Sequence, residues 1–286
     1  MAVKKNSIGV MVDSFRVGLR EGIKKAREVG AAGIQLYAVS GEMDPANLSP
    51  ADRRELLDFI KSNGLVVSAL CGDLGGHGFS RREENPWKIE KSKRIIELAR
   101  DLEATIVTTH IGVVPGDRGS DKWKIMQEAC RELGGFAEAM GGSFAIETGP
   151  EKTALLKEFL DILGTRGIGV NYDPANLVMV TGDDPVAGVY NLRDYIVHTH
   201  AKDGIMKKQD NPEVIYNFFA EGGIGDLRLS DYFIETPLGR GQVDFPRYVK
   251  ALEEIGYKGF FTVEREVGEN PEKDIQEAVW FLEGIL

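Results

Sequence analysis

Three acids and one histidine stand at matching places in four short apolar segments. Glu147 ends the apolar strand in FAIETG, Asp173 does the same in GVNYDP, His200 sits in VHTHAKD and Glu264 in FFTVERE. Along extended chain, side chains alternate between two faces. His198, His200 and Lys202 therefore share one face, and Glu264 shares its face with Thr262 and Glu266. A fold that turned these faces to a common interior would gather three carboxylates around one imidazole. Buried together, the acids repel, and at least one is driven neutral unless a cation holds them. Three oxygens and one nitrogen make a hard-to-intermediate donor set, suited first to Mn²⁺, then to Co²⁺ or Mg²⁺, with Zn²⁺ as a further candidate. Four protein ligands on a six-coordinate ion leave about two positions for substrate oxygens.

The surrounding elements can supply that interior. Apolar, β-rich runs predict strands at about 7–13, 33–38, 65–72, 105–112, 143–149, 167–174, 195–203 and 259–266. Near-continuous apolar runs fit parallel strands covered on both faces. Segments of helical period lie between them. Ser49 reads as an N-cap with Pro50 at the first helical position. Asn85-Pro86, Asp184-Pro185 and Asn270-Pro271 repeat that signature, and Asp244 is a further cap candidate. Strict alternation of eight strands and eight helices predicts an α/β chain with a parallel sheet. Spread over eight units, 286 residues give about 36 each, the size of one unit of a (β/α)₈ TIM barrel. A doubly wound open sheet is the alternative, but the first strand-to-helix turn reads DSFRVG and lacks GxGxxG. Without a Pro/Gly/Ser-rich linker, residues 1–286 read as a single domain. One connection is oversized: 204–240, between strands 7 and 8, contains Tyr216, Phe218, Phe219 and the glycine run EGGIGD. Loops of that length are lids or carry their own structure. In such a barrel the site lies at the C-terminal strand ends, which is where Glu147, Asp173, His200 and Glu264 fall, on strands 5 to 8.

Composition narrows the function. A net charge of -10, from 35 Lys+Arg against 45 Asp+Glu, argues against a nucleic-acid surface, which needs clustered basic side chains. Apolar stretches are far shorter than the ~20 residues that span a bilayer, and MAVKKNSIGVMVDSF lacks the long apolar core of a signal peptide. Cys71 and Cys130 offer no disulfide framework or CxxC pair, so a reduced cytoplasmic setting is expected.

The motifs IETG (146–149), NYDPANL (171–177), HTHAKDG (198–204), PLGRGQVDF (237–245) and VERE (263–266) resemble the xylose-isomerase-like sugar isomerase/epimerase superfamily of TIM barrels. The resemblance spans most of the chain, in matching order. It implies one divalent-metal site formed by Glu147, Asp173, His200 and Glu264. Glu147 and Glu264 match the pair that faces the substrate from opposite sides and moves protons, and Lys202 matches a position approaching substrate oxygens. The implied reaction removes a proton next to a carbonyl; the cation stabilises the enediolate and a carboxylate on each face handles the proton. There are two departures. Asn176 stands where the ketose epimerases commonly carry a histidine, and an amide can bond a hydroxyl but cannot titrate. Arg240 stands where many relatives carry an acid; at the barrel mouth it could fork onto a carboxylate or phosphate.

Around this set, His110 in TTHIG is expected at the mouth, in contact with substrate or with a ligand. His198 is expected one layer deeper, filling the barrel. Glu266 can bond Lys202 or lie outside the site. Cys71 reads as a small buried side chain. GDLGGHGFS, with His77, lacks the GK[ST] of a phosphate loop and reads as a mobile rim. Phe79, Trp87, Phe218 and Phe219 are candidates to wall the pocket. The leading expectation is a metal-dependent isomerase or epimerase of a small sugar, sugar derivative or cyclitol, assembled as a homo-oligomer (dimer or tetramer). A lyase or dehydratase, of the keto-inositol or oxidised C-glycoside kind, would use the same residues. An abasic-site endonuclease would need more than the four histidines present. A barrel that only binds sugar is the non-catalytic alternative.

Overall fold

The computed structural model describes residues 7–286, so the first six residues of the stretch read above for a leader lie outside it. Eight parallel strands close into a barrel: β1 (Ser7–Met11), β2 (Gly33–Tyr37), β3 (Val66–Cys71), β4 (Ile106–Thr109), β5 (Ser143–Glu147), β6 (Ile168–Tyr172), β7 (Ile196–Ala201) and, as the eighth stave, β10 (Phe260–Val263). Each is the core of a segment expected from its apolar run. The helices are α1 (Leu19–Glu28), α2 (Pro50–Ser62), α3 (Asn85–Asp101), α4 (Asp121–Ala139), α5 (Thr153–Asp161), α6 (Pro174–Asn176, running into a π turn), α7 (Pro185–Asn191), α8 (Pro212–Glu221), α9 (Phe245–Glu254) and α10 (Pro271–Glu283). The fold is a single-domain (β/α)₈ TIM barrel. No described helix is long and apolar enough to cross a membrane.

The helix starts follow the local chemistry. Ser49 forms a capping box with Asp52 behind Pro50, and Asp184, Asp244 and Asn270 each accept backbone N–H groups at their helix starts. Such caps contribute about 1 kcal/mol each. Asn85 departs from the pattern. It lies inside the first turn of α3, and its amide donates to the Phe79 carbonyl at 3.0 Å. Its side chain fastens the preceding loop in place of capping the helix.

Strand 7 is shorter than its apolar run. It ends at Ala201, and the chain turns into a hairpin of β8 (Asp203–Met206) and β9 (Phe233–Thr236), antiparallel to each other. Asp203 drives the departure: its carboxylate accepts N–H groups from Gly204, Gly241 and Val243. The long connection is therefore structured, with the hairpin at its root and α8 beyond.

Inside the barrel a polar layer crosses from wall to wall. Gln35 on β2 donates to Thr108 on β4 at 2.9 Å, while its oxygen lies 3.0 Å from His198 Nε2 on β7. Thr262 on β10 closes the layer, 3.0 Å from the same nitrogen. Leaving any of these groups unpaired would cost about 1–3 kcal/mol. Burial pushes the His198 imidazole down to about 3, so it stays neutral.

Candidate metal centre

Glu147 is the last residue of β5, Asp173 and Glu264 lie one residue beyond β6 and β10, and His200 is the penultimate residue of β7. Barrel closure brings all four together. One donor atom from each lies within 4.8 Å of the others, and all four side chains are buried. His200 Nδ1 stands 3.4 Å from Asp173 Oδ2, 3.4 Å from Glu264 Oε2 and 3.7 Å from Glu147 Oε1.

The histidine is oriented from behind. Its Nε2 lies 3.1 Å from the Gln35 oxygen and 3.2 Å from the Asn171 amide nitrogen, contacts that fix the ring and leave Nδ1 facing the acids. A bulge helps: Val170 pairs with Ile196 but Asn171 pairs with His198, so Val197 is an extra residue on β7. Bulges re-aim the side chains that follow them. Although burial opposes it, the Glu264 and Glu147 carboxylates hold the His200 imidazole well above its ordinary range. The acids demand a cation at Nδ1, either a proton or a metal ion.

Two of the four residues' buried donor atoms have no hydrogen-bond partner, Asp173 Oδ2 and His200 Nδ1, and the neighbouring Asn171 Oδ1 is also unpartnered. Asp173 divides its duties. Its Oδ1 accepts the Asn176 N–H at 2.9 Å, capping the turn after β6, while Oδ2 is left facing His200. Unpartnered buried polar atoms demand an explanation, and a divalent ion among three oxygens and a nitrogen gives one. The donor set fits such an ion.

The neighbours hold the ligands rigidly. Asn171, in register with Glu147, donates to Glu147 Oε2 at 3.0 Å, and Asn176 donates to Oε1 at 3.0 Å. Asn176, expected to meet substrate, lies within the cluster, with one of its amide N–H groups on Glu147. Lys202 Nζ lies 2.9 Å from Glu264 Oε2 and also pairs with Glu266 Oε2. Burial alone would raise the Glu264 carboxyl, but the Lys202 and His200 cations hold it well below the carboxylate range. His110 reaches the mouth with Nδ1 3.2 Å from Asp73 and Nε2 3.8 Å from Glu147. Burial opposes its charge, but Glu147 and Asp73 push it up to about 10.

Arg240 requires a correction. It is 71% exposed and points towards Glu277 of α10 at 4.0 Å, away from the cluster. The cause is the Asp203 nest, which pins the backbone of 241–243 and leaves the preceding side chain outside. The aromatic candidates are corrected too. Phe79 packs on Phe144 in the core, and Trp87 and Phe219 are exposed. One aromatic side chain at the mouth is Tyr216 of α8, whose ring lies 5.7 Å from that of His110. The glycine-rich rim is organised by Lys88, buried and donating to the carbonyls of Gly75 and Gly78. Gln35, Asn171 and Asp73 had no sequence signal beyond their polar type in apolar surroundings. Burial pushes the Cys71 thiol up, in keeping with a packed side chain.

Glu151, in the loop after β5, is buried and accepts the Val114 N–H at 3.2 Å. Burial pushes its carboxyl up to about 8. Because the folded value exceeds the unfolded one, the folded state favours the proton. The stability this confers is complete at pH below about 4.5 and lost as pH rises through about 8, at roughly 1.4 kcal/mol per pH unit. Glu151→Gln is expected to flatten that decline and to raise the melting temperature above pH 8, measured by calorimetry across pH.

Residues 23–285 match the xylose isomerase-like TIM barrel family, and the chain belongs to it. Among curated proteins it is 26% identical over 150 residues to inosose dehydratase of Lacticaseibacillus casei, covering 51% of this chain and 48% of that protein. The chain thus spans about half the length of the curated relatives it matches. The xylose isomerase domain protein from Planctomyces limnophilus superposes with a TM-score of 0.80 at 22% identity, covering 98% of this chain and 96% of that one. A D-psicose 3-epimerase crystallised with D-fructose superposes with a TM-score of 0.72 at 14% identity, covering 98% and 99%.

Proposed function

We propose that the chain is a divalent-metal-dependent enzyme that removes the proton next to the carbonyl of a small polyhydroxylated ketone, a sugar or cyclitol, and expels the β-hydroxyl as water. The observation that carries the metal is the pair of orphaned buried atoms, Asp173 Oδ2 and His200 Nδ1, among three carboxylates. Glu147, Asp173, His200 and Glu264 are the proposed ligands. A bound ion, Mn²⁺ first and Co²⁺, Mg²⁺ or Zn²⁺ as alternatives, supplies Lewis-acid polarisation of the carbonyl and the neighbouring hydroxyl.

The remaining steps belong to side chains. Glu147, aimed by the Asn171 and Asn176 amides, takes the α proton; the C–H electron pair moves towards the carbonyl oxygen and returns to form the Cα=Cβ bond only as the β C–O bond breaks. In that event the hydroxyl leaves as water with a proton delivered from the Glu264–Lys202 side, where the ammonium sits 2.9 Å from the carboxylate. Elimination is placed first because the likeness to inosose dehydratase is one of sequence, whereas the likeness to the epimerase is one of fold. The second reading is isomerisation or epimerisation, in which Glu264 returns the proton to the opposite face. Its support is the presence of two carboxylates, Glu147 and Glu264, on different strands beside His200 Nδ1, at 3.7 and 3.4 Å.

The test is a panel of ketoses and keto-inositols incubated with metal-loaded protein in deuterium oxide and followed by mass spectrometry. Loss of water supports elimination. Unchanged substrate mass in light water, with deuterium gained at the α carbon in heavy water, supports the second reading. No turnover and no deuterium uptake across the panel sinks both.

A further inference from the structure

We propose that α8 is a movable lid over the metal centre and that Tyr216 is its plug, the residue that seals the mouth and limits the size of substrate admitted. Three independent features meet here. First, the helix is tied at its two ends to different parts of the barrel rim. Glu213 pairs with Lys122 of α4 at 2.8 Å, and Glu221 pairs with His77 at 2.6 Å and Arg81 at 3.4 Å in the loop after β3. The strap therefore crosses the mouth from one rim segment to another.

Second, Tyr216 is seated by a complementary gap. Its hydroxyl lies 2.7 Å from the place a β-carbon on Gly149 would occupy, and the Asn176 β-carbon crowds the same place at 2.6 Å. Gly149 follows Glu147 by two residues and has φ +144. Any side chain there would collide with both the lid residue and the amide that orients Glu147. The absence of a side chain at 149 lets Tyr216 descend beside His110, next to the Asn176 that bonds Glu147.

Third, the strap has a firm root and a pliant end. The β8–β9 hairpin is clamped by the buried Arg265–Glu235 ion pair and by the Asp203 nest. On the far side α8 runs into Gly222, Gly223 and Gly225, with φ of 70, 123 and 50. Glycine pays no steric cost in that region, so the segment can swing without breaking its helix. The latches have partly exposed side chains, and such pairs hold weakly. With the plug seated, Glu147, Asp173, His200 and Glu264 are all buried, and a substrate must displace α8 to reach them.

The lid controls access whichever fate the substrate meets, but its kinetic test rests on the metal reading above. The experiment measures removal of Co²⁺ from the loaded protein by excess EDTA, read from the visible cobalt bands. A Glu213→Gln/Glu221→Gln variant, whose changes lie outside the catalytic cluster, is expected to release Co²⁺ about three- to tenfold faster than the parent, and Tyr216→Ala faster still. Release from the parent should also quicken with ionic strength as the latches are screened. Equal rates in all three proteins would overturn the lid. If the parent binds no Co²⁺, the metal reading fails and the lid is judged by amide hydrogen exchange. Faster exchange over 212–221 in the double variant than in the parent supports it, and equal exchange overturns it.

Discussion

Glu147→Gln is expected to lower turnover about 10²–10⁴-fold, the range a positioned general base contributes. Both Glu147 oxygens accept amide N–H groups, from Asn171 and Asn176. The glutamine keeps the shape but cannot take a proton, and its own NH₂ must face one of those two donors. The fold should survive, since the change is isosteric and removes one of three clustered negative charges. Turnover of the ketose and keto-inositol panel measures the loss, with circular dichroism as the check on folding and Co²⁺ titration as the check on the metal. Unchanged turnover would revive a barrel that merely binds sugar, with any observed chemistry arising elsewhere.

Metal binding and its loss in Asp173→Asn should give the second large effect. Mn²⁺ at a thousandfold excess over its Kd is expected to stabilise the native chain by about 4 kcal/mol and to raise Tm by roughly 8 °C. In Asp173→Asn this shift should collapse. The substitution keeps an oxygen to accept the Asn176 N–H, so the turn after β6 stays capped, while the anionic Oδ2 facing His200 is gone. Affinity should also weaken as pH falls. The acids keep His200 protonated well above the ordinary imidazole range, so a metal must displace that proton and gains as protons become scarcer. Scanning calorimetry with and without Mn²⁺ reads both effects. An equal Tm shift in the variant would remove Asp173 from the ligand set.

Several residues show how far local pattern reaches. Ser49-Pro50, Asp184-Pro185 and Asn270-Pro271 start helices as their order predicts, because a cap and its proline act within one turn. Asn85-Pro86 shows the same letters, yet Asn85 bonds the Phe79 carbonyl, a contact set by how the rim loop folds back. The alternation of His198, His200 and Lys202 was legible because side-chain parity is a property of one strand. The bulge at Val197 was not, because it exists only relative to β6. Arg240 shows the limit most clearly. Its motif placed it at the mouth, but the three N–H groups gathered by Asp203 turn it towards α10.

By itself the sequence determined the barrel class, the staves and the four residues that converge at their ends, because apolar periodicity and strand order are written in the chain. Only the tertiary structure decided what stands behind and above those four. Gln35 on the second stave backs a histidine on the seventh, Asn176 donates to Glu147, and Tyr216 descends into the space left by Gly149. Each is a contact between segments distant in sequence, created when the barrel closes and the long connection folds back. No local spacing rule encodes a distance of that kind.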